Sequence, residues 1–116
     1  MNRLGFEETE FLKALELIKN NKNTKEIILM SHFASANLKN NSFTQTQTKK
    51  FLKHAKSFQL SLSNSSALLN GDHLDQEWNR VGLALFGVSP VESHTAFEYG
   101  LKPVMTMKTN IISIKS

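Results

Sequence analysis

A chain of 116 residues, 40% hydrophobic and poor in glycine and proline, is sized for one domain at most and composed to fold. The absence of cysteine excludes disulfides, thiolate metal sites and cysteine nucleophiles together, and makes a cytoplasmic location the simple expectation. The formal charge of +4 raises nucleic acid as a partner, but Lys49, Lys50, Lys53 and Lys56 fall late in one predicted helix, where cations oppose the negative end of its dipole. No interleaved set of aromatic residues is present to stack bases, so a solvated helix face is expected and no nucleic-acid partner. No apolar run is long enough to span a bilayer, and Arg3 followed by Glu7-Glu8-Thr9-Glu10 does not read as a signal peptide.

In chain order, Met1 to Phe6 reads as a loop turning at Gly5. A helix is predicted from about Glu7 to Lys19, with Phe11, Leu12, Leu15 and Ile18 inward, acids in the first turn and Lys19 in the last. Glu26 to His32 contains a continuous apolar run ending in polar groups, the pattern of a strand buried on both faces. Thr44-Gln45-Thr46-Gln47 reads as a capping box opening a helix to about Lys56, with Phe51, Leu52 and Ala55 inward.

The stretch Gln59 to Leu69 changes period halfway. It alternates up to Leu62, becomes a compact apolar run from Ala67, and between these offers Ser63-Asn64-Ser65-Ser66, small polar residues favoured where helices begin. A strand feeding a helix in this way leaves backbone N–H groups unpaired, which suits either an ordinary cap or a bound phosphate. Glu77 to Gly82 is another short strand, followed by the apolar Leu83-Ala84-Leu85-Phe86-Gly87 and a loop to about Gly100. Lys102 to Lys115 has the texture of a long strand and looks like the start of another domain.

Three strands separated by helical patterns imply βαβ units and a parallel sheet, in which ligands sit beyond the C-terminal ends of the strands. Arg3, His32, Asn64, Ser65, Arg80 and Gly82 all fall at such ends. Satisfied polar residues also gather there, so a ligand site and a purely structural role both remain open.

At these places the sequence resembles the alanine racemases, pyridoxal-phosphate enzymes built as a (β/α)8 barrel followed by a C-terminal β domain. The resemblance is carried, in the family's order, by Met1 to Phe6, Ser31-His32-Phe33-Ala34-Ser35-Ala36, Ser63-Asn64-Ser65-Ser66-Ala67, Arg80 to Pro90 and Lys102-Pro103-Val104-Met105-Thr106-Met107. It implies an α/β fold: about the last three βα units of a TIM-type barrel over residues 1–100, and the first strand of the β domain over 101–116. It also implies pyridoxal 5'-phosphate as cofactor. Arg3 and Asn64 would lie near it, His32 would hydrogen-bond a neighbouring arginine, and Ser65 with the backbone N–H groups of Gly82 and Leu83 would hold the phosphate. Arg80 would face the ring nitrogen. A guanidinium does not give up its proton, so it keeps that nitrogen unprotonated and weakens the electron sink.

The complete enzyme would interconvert L- and D-alanine, supplying D-alanine for peptidoglycan, as a homodimer acting on a small-molecule substrate. Two opposed bases would take the α-proton from one face and return one to the other. Neither the family's lysine segment nor its catalytic tyrosine is matched here. No catalytic residue and no metal ligand is therefore assigned, and the chain is expected to be inactive alone. Asn37, Ser66, Asn79 and Phe86 depart from the family's usual Asp, Ala, apolar residue and Tyr. Asn79 is expected to bury an amide, at a cost of about 1–3 kcal/mol if unpartnered. The alternatives are a non-catalytic remnant, a small basic interaction protein, or a racemase of the same fold acting on another amino acid.

Overall fold

The computed structural model describes residues 4–71 and 76–115. Arg3, among the expected cofactor contacts, lies outside the described residues. Helix α1 (Glu8–Lys19) begins and ends within a residue of the expected bounds, with Glu8 and Glu10 in its first turn and Lys19 in its last. It precedes strand β1 (Ile28–Met30), helix α2 (Ser42–Leu52), strand β2 (Gln59–Asn64), helix α3 (Ser65–Asn70) and strand β3 (Trp78–Arg80). Two short 3-10 turns follow, η1 (Leu83–Phe86) and η2 (Phe97–Tyr99). The strands form one sheet in the order β1-β2-β3, parallel throughout, with Leu29 opposite Leu60 and Ser61 opposite Trp78. Because β1 and β2 are parallel, the chain between them must cross over, and α2 supplies that crossover.

The alternation of side chains separates two faces. Leu29, Leu60 and Leu62 point toward the helices. Leu29 and Leu60 pack with Ala55 against Phe11, Leu15 and Phe51, while Leu62 packs with Phe33, Ala36 and Ala67. Ile28, Met30, Gln59, Ser61, Ser63, Trp78 and Arg80 fall on the other face, which no described helix covers. This corrects the expectation that β1 is buried on both sides: Leu29 is 5% exposed, but its neighbours Ile28 and Met30 are 39% and 67% exposed. The narrow sheet also accommodates only a thin stripe of α1, so Phe11 and Leu15 pack while Leu12 and Ile18 stay exposed.

Helix starts follow the nearest available side-chain acceptor rather than the longest motif. Asn41, not Thr44, caps α2 by accepting from the Phe43 N–H at 2.7 Å, which leaves Thr44 buried inside the helix. The last turn tightens, with His54 and Ala55 donating to the Phe51 and Leu52 carbonyls, and the helix stops at Leu52 rather than Lys56. Asn64 caps α3 by accepting from the Ala67 N–H at 3.0 Å, so β2 passes into α3 without an intervening loop.

Two further expectations are corrected. Asn79 is exposed, because β3 is an edge strand open on one side, and its side-chain Oδ1 accepts from the Gln76 amide at 3.1 Å. Residues 101–115 form no regular element and no ladder. A strand requires another strand's backbone groups, and none among the described residues lies alongside this run. With the segment extended, the molecule measures 69 × 31 × 25 Å and its radius of gyration is 19.1 Å, against about 13 Å for a compact chain of this length.

One glycine fixes where this segment departs. Gly87 ends η1 with φ of 75°, and a Cβ there would collide with the backbone of Lys102 and Pro103. Both the left-handed conformation and the close approach exclude a side chain.

Candidate functional site

Because the strands are parallel, their C-terminal ends face one way and bring three segments together: Ser31-His32 after β1, Asn64-Ser65 after β2, and Arg80 to Ala84 at the end of β3. Arg80 holds the three together. Its guanidinium donates to the Ser61 carbonyl at 2.7 Å, the Ser61 hydroxyl at 2.6 Å, the Ser31 carbonyl at 2.7 Å and the Leu62 carbonyl at 3.4 Å. Partial burial pushes its pKa below the ordinary arginine value, yet an arginine in a protein keeps its charge. A fixed cation therefore stands at the end of the sheet with its planar donors locked in orientation.

Ser65 forms the second part. Its hydroxyl oxygen accepts from the Gly82 N–H at 2.9 Å and the Ala84 N–H at 3.3 Å. A hydroxyl has two acceptor positions and one donor. Both acceptor positions are thus occupied, while no group among the described residues accepts the Ser65 O–H. The Leu83 N–H, between the two donors, likewise has no partner among the described residues. Ser65 is 5% exposed, and this pair of donors lies at the sheet end that carries Arg80.

Of the expected residues, the fold gathers His32, Asn64, Ser65, Arg80, Gly82 and Leu83 at one end of the sheet. Several use their groups differently from the expectation. The Gly82 N–H is taken by Ser65, and the Asn64 side chain is committed to the cap of α3. His32 forms no hydrogen bond with Arg80, since the carbonyls at the ends of β1 and β2 offer the guanidinium nearer acceptors. The His32 carbonyl instead accepts from Gln47 at 3.3 Å, and Gln47 also accepts from the Ala34 N–H at 3.1 Å, pinning the loop after β1 to α2.

Other contributors were not anticipated from sequence. Ser61 is one signal that alternation could have supplied, since Gln59, Ser61 and Ser63 share a face. Gln76 accepts from the Leu62 N–H at 2.7 Å and donates to the Ser63 hydroxyl, and Glu77 accepts from the Leu60 N–H at 2.9 Å. That N–H holds the Glu77 carboxyl below its usual range. These side chains stand in for ladder carbonyls where β3 is too short to reach. Asn37, a departure from the resembled family, donates to the Glu92 carboxylate at 2.8 Å, while the Glu92 N–H donates to the Asn37 carbonyl at 3.3 Å. The pair ties the loop after β1 to the loop after η1, and an aspartate at 37 would set two carboxylates together. Tyr99 lies in η2 with its ring 5.5 Å from that of His94.

Comparison with known proteins gives this arrangement its context. Residues 1–90 match the family model for the alanine racemase N-terminal domain. Alanine racemase from Nitrosospira multiformis is 40% identical over 119 aligned residues, a match covering 100% of this chain and 33% of that protein. Among solved structures, biosynthetic alanine racemase from Pseudomonas aeruginosa superposes with a TM-score of 0.82 at 35% identity, covering 89% of this chain and 29% of its own. The Bartonella henselae alanine racemase, solved with covalently bound pyridoxal phosphate, superposes with a TM-score of 0.65 at 32% identity, covering 90% of this chain and 29% of its own. The chain spans about a third of the length of the curated relatives it matches. With sequence, fold and the grouping of strand ends in agreement, the chain belongs to the alanine racemase family.

Proposed function

We propose that this chain supplies the phosphate and ring-nitrogen contacts for pyridoxal 5'-phosphate in an alanine racemase. The observation that carries the reading is the convergence of an uncommitted Ser65 O–H and Leu83 N–H with the anchored Arg80 at one end of the sheet. Two neutral donors beside a fixed cation suit a phosphate ester on a ring whose nitrogen stays unprotonated. When bound, the cofactor supplies the electron sink that stabilises the substrate's carbanion. Ser65 would donate to a phosphate oxygen while its two accepted N–H bonds orient the hydroxyl. Arg80, held by backbone carbonyls that cannot titrate, would present unchanged charge to the ring nitrogen. His32 would border the site without binding Arg80.

In the complete enzyme, residues 1–100 would form the later part of the barrel and 101–116 would enter the C-terminal domain. That enzyme would interconvert L- and D-alanine in the cytoplasm for peptidoglycan synthesis, as a homodimer. No side chain of this chain is assigned as the acid or base for the α-proton, so the chain alone should form no D-alanine from L-alanine.

The test uses 4'-deoxypyridoxine 5'-phosphate, which lacks the aldehyde and so cannot react with surface lysines. Titration followed by Trp78 fluorescence should show saturable binding. Omitting the probe's phosphate, or making Ser65→Ala, should weaken binding about tenfold, the order of one lost charge-assisted hydrogen bond. Equal affinity with and without the phosphate would overturn the reading.

A further inference from the structure

We propose that Asn70-Gly71 is a self-modification site, held inert by the fold and converted to aspartate and isoaspartate through opening of the last turn of α3. It is the one Asn-Gly pair in the sequence. Asparagine is thermally labile, and a glycine after it presents a backbone nitrogen that no neighbouring Cβ screens. In the reaction the Gly71 nitrogen bonds to Asn70 Cγ, the Cγ–Nδ2 bond breaks, and ammonia leaves with the proton that Gly71 gives up. Water then opens the succinimide ring, and no oxidant or reductant is consumed. Cleavage at Cγ leaves aspartate, while cleavage at the main-chain carbonyl leaves isoaspartate.

The native geometry withholds both reacting groups. Asn70 closes α3, and its Nδ2 donates to the Ala36 carbonyl at 2.7 Å, which fixes the amide against the loop after β1. The Gly71 N–H points back into the helix, donating to the Ala67 and Leu68 carbonyls, and the left-handed cap conformation, with φ of 73°, keeps it there. Attack would also develop negative charge on Asn70 Oδ1, which is buried with no donor among the described residues, where charge is costly. These constraints end together when the last turn frays, and a helix of six residues ending at an exposed glycine opens more readily than the sheet. The change is one-way. An amide can donate but a carboxylate only accepts, so an aspartate at position 70 would set an anion against the Ala36 carbonyl and the negative end of α3. Isoaspartate instead routes the main chain through the side-chain carbon and breaks the cap. Either product releases α3 from the loop that carries His32.

The experiment ages the full chain in mildly alkaline buffer, with and without denaturing guanidinium chloride, and follows conversion by brief trypsin digestion and mass spectrometry. Cleavage after Lys56 and Arg80 releases residues 57–80, so Asn64 and Asn79 serve as references within the same peptide. In denaturant Asn70 should convert ahead of both. In buffer its rate should fall about tenfold or more, because only opened molecules react. Asn64→Ala, which removes the cap of α3 without touching the pair, should raise the rate in buffer about fivefold. The converted chain, separated by its added negative charge, should show faster amide exchange by NMR at Leu38, in the turn beside Ala36. Conversion of Asn70 no faster than that of Asn64 in denaturant would overturn the proposal, as would equal rates in the two solutions or a rate in buffer that Asn64→Ala leaves unchanged. Unaltered exchange at Leu38 in the converted chain would overturn the release of the loop.

Discussion

On the helix side of the sheet, Leu29, Leu60 and Leu62 are met by α1, α2 and α3, and apolar atoms touch apolar atoms. On the opposite side Ser61 and Ser63 are just as deeply buried, but polar groups cover them: the Arg80 guanidinium over one and the Gln76 amide over the other. Burial alone therefore does not distinguish the faces, and chemistry does. The first face is closed by shape and should tolerate no loss of volume. The second is held by directional bonds, should tolerate loss of apolar bulk at its margins, and should fail when a donor is removed.

The sharpest test of this contrast is Leu62→Ala, which opens a cavity under the helices and should cost about 2–5 kcal/mol. Met30→Ala, one strand away on the uncovered face, should stay within about 0.5 kcal/mol. Urea titrations followed by far-UV circular dichroism compare the two, and equal costs would erase the distinction between the faces. Next in size is Arg80→Met, which keeps much of the side-chain length and removes the guanidinium donors from the carbonyls of Ser31, Ser61 and Leu62, leaving the Ser61 carbonyl the Ser31 N–H at 3.2 Å. A loss of about 1.5–3 kcal/mol is expected, with faster amide exchange at Ser31 by NMR. Asn64→Ala tests the seam between the faces, since the cap joins β2 to α3; about 1 kcal/mol should be lost.

The smallest effect belongs to the far end of the helix layer. Glu8 accepts from the Lys53 ammonium at 3.0 Å and pairs with His54 at 2.9 Å, and these bonds, Lys53 first, hold its carboxyl down at about 2 from an ordinary 4.5. The folded value is depressed, so the stabilisation is complete above about pH 4.5 and disappears as the pH falls through about 2. The pair is solvent-screened, and the effect is correspondingly small. Glu8→Gln should flatten the dependence of the urea midpoint on pH across that window and leave the midpoint at pH 7 little changed.

The sequence was most legible where a single local rule decides the outcome. Periodicity and end charges placed α1 nearly to the residue, and the shift of period at Ser63 marked the passage from β2 to α3. The strand ends were legible too, because parallel topology follows from alternating elements and puts His32, Ser65 and Arg80 at one end. What could not be read depends on partners distant in sequence. Whether Ile28 and Met30 are covered depends on a layer that no element among the described residues forms. The acceptors of Arg80 are carbonyls, which every residue carries and no motif reveals. The run after Lys102 has strand composition, but a strand exists only where another runs beside it.

The conformation of Gly87 makes a claim about heredity as well as geometry. Every amino acid that a glycine codon can become by one nucleotide change brings a Cβ, and here that atom meets the main chain of Lys102 and Pro103, not a side chain that could swing aside. No conservative exchange exists at the position. In a saturation library selected for retention of the 101–104 path, residue 87 should be a column with one permitted letter, and second-site suppressors should arise at 102 and 103 rather than within η1.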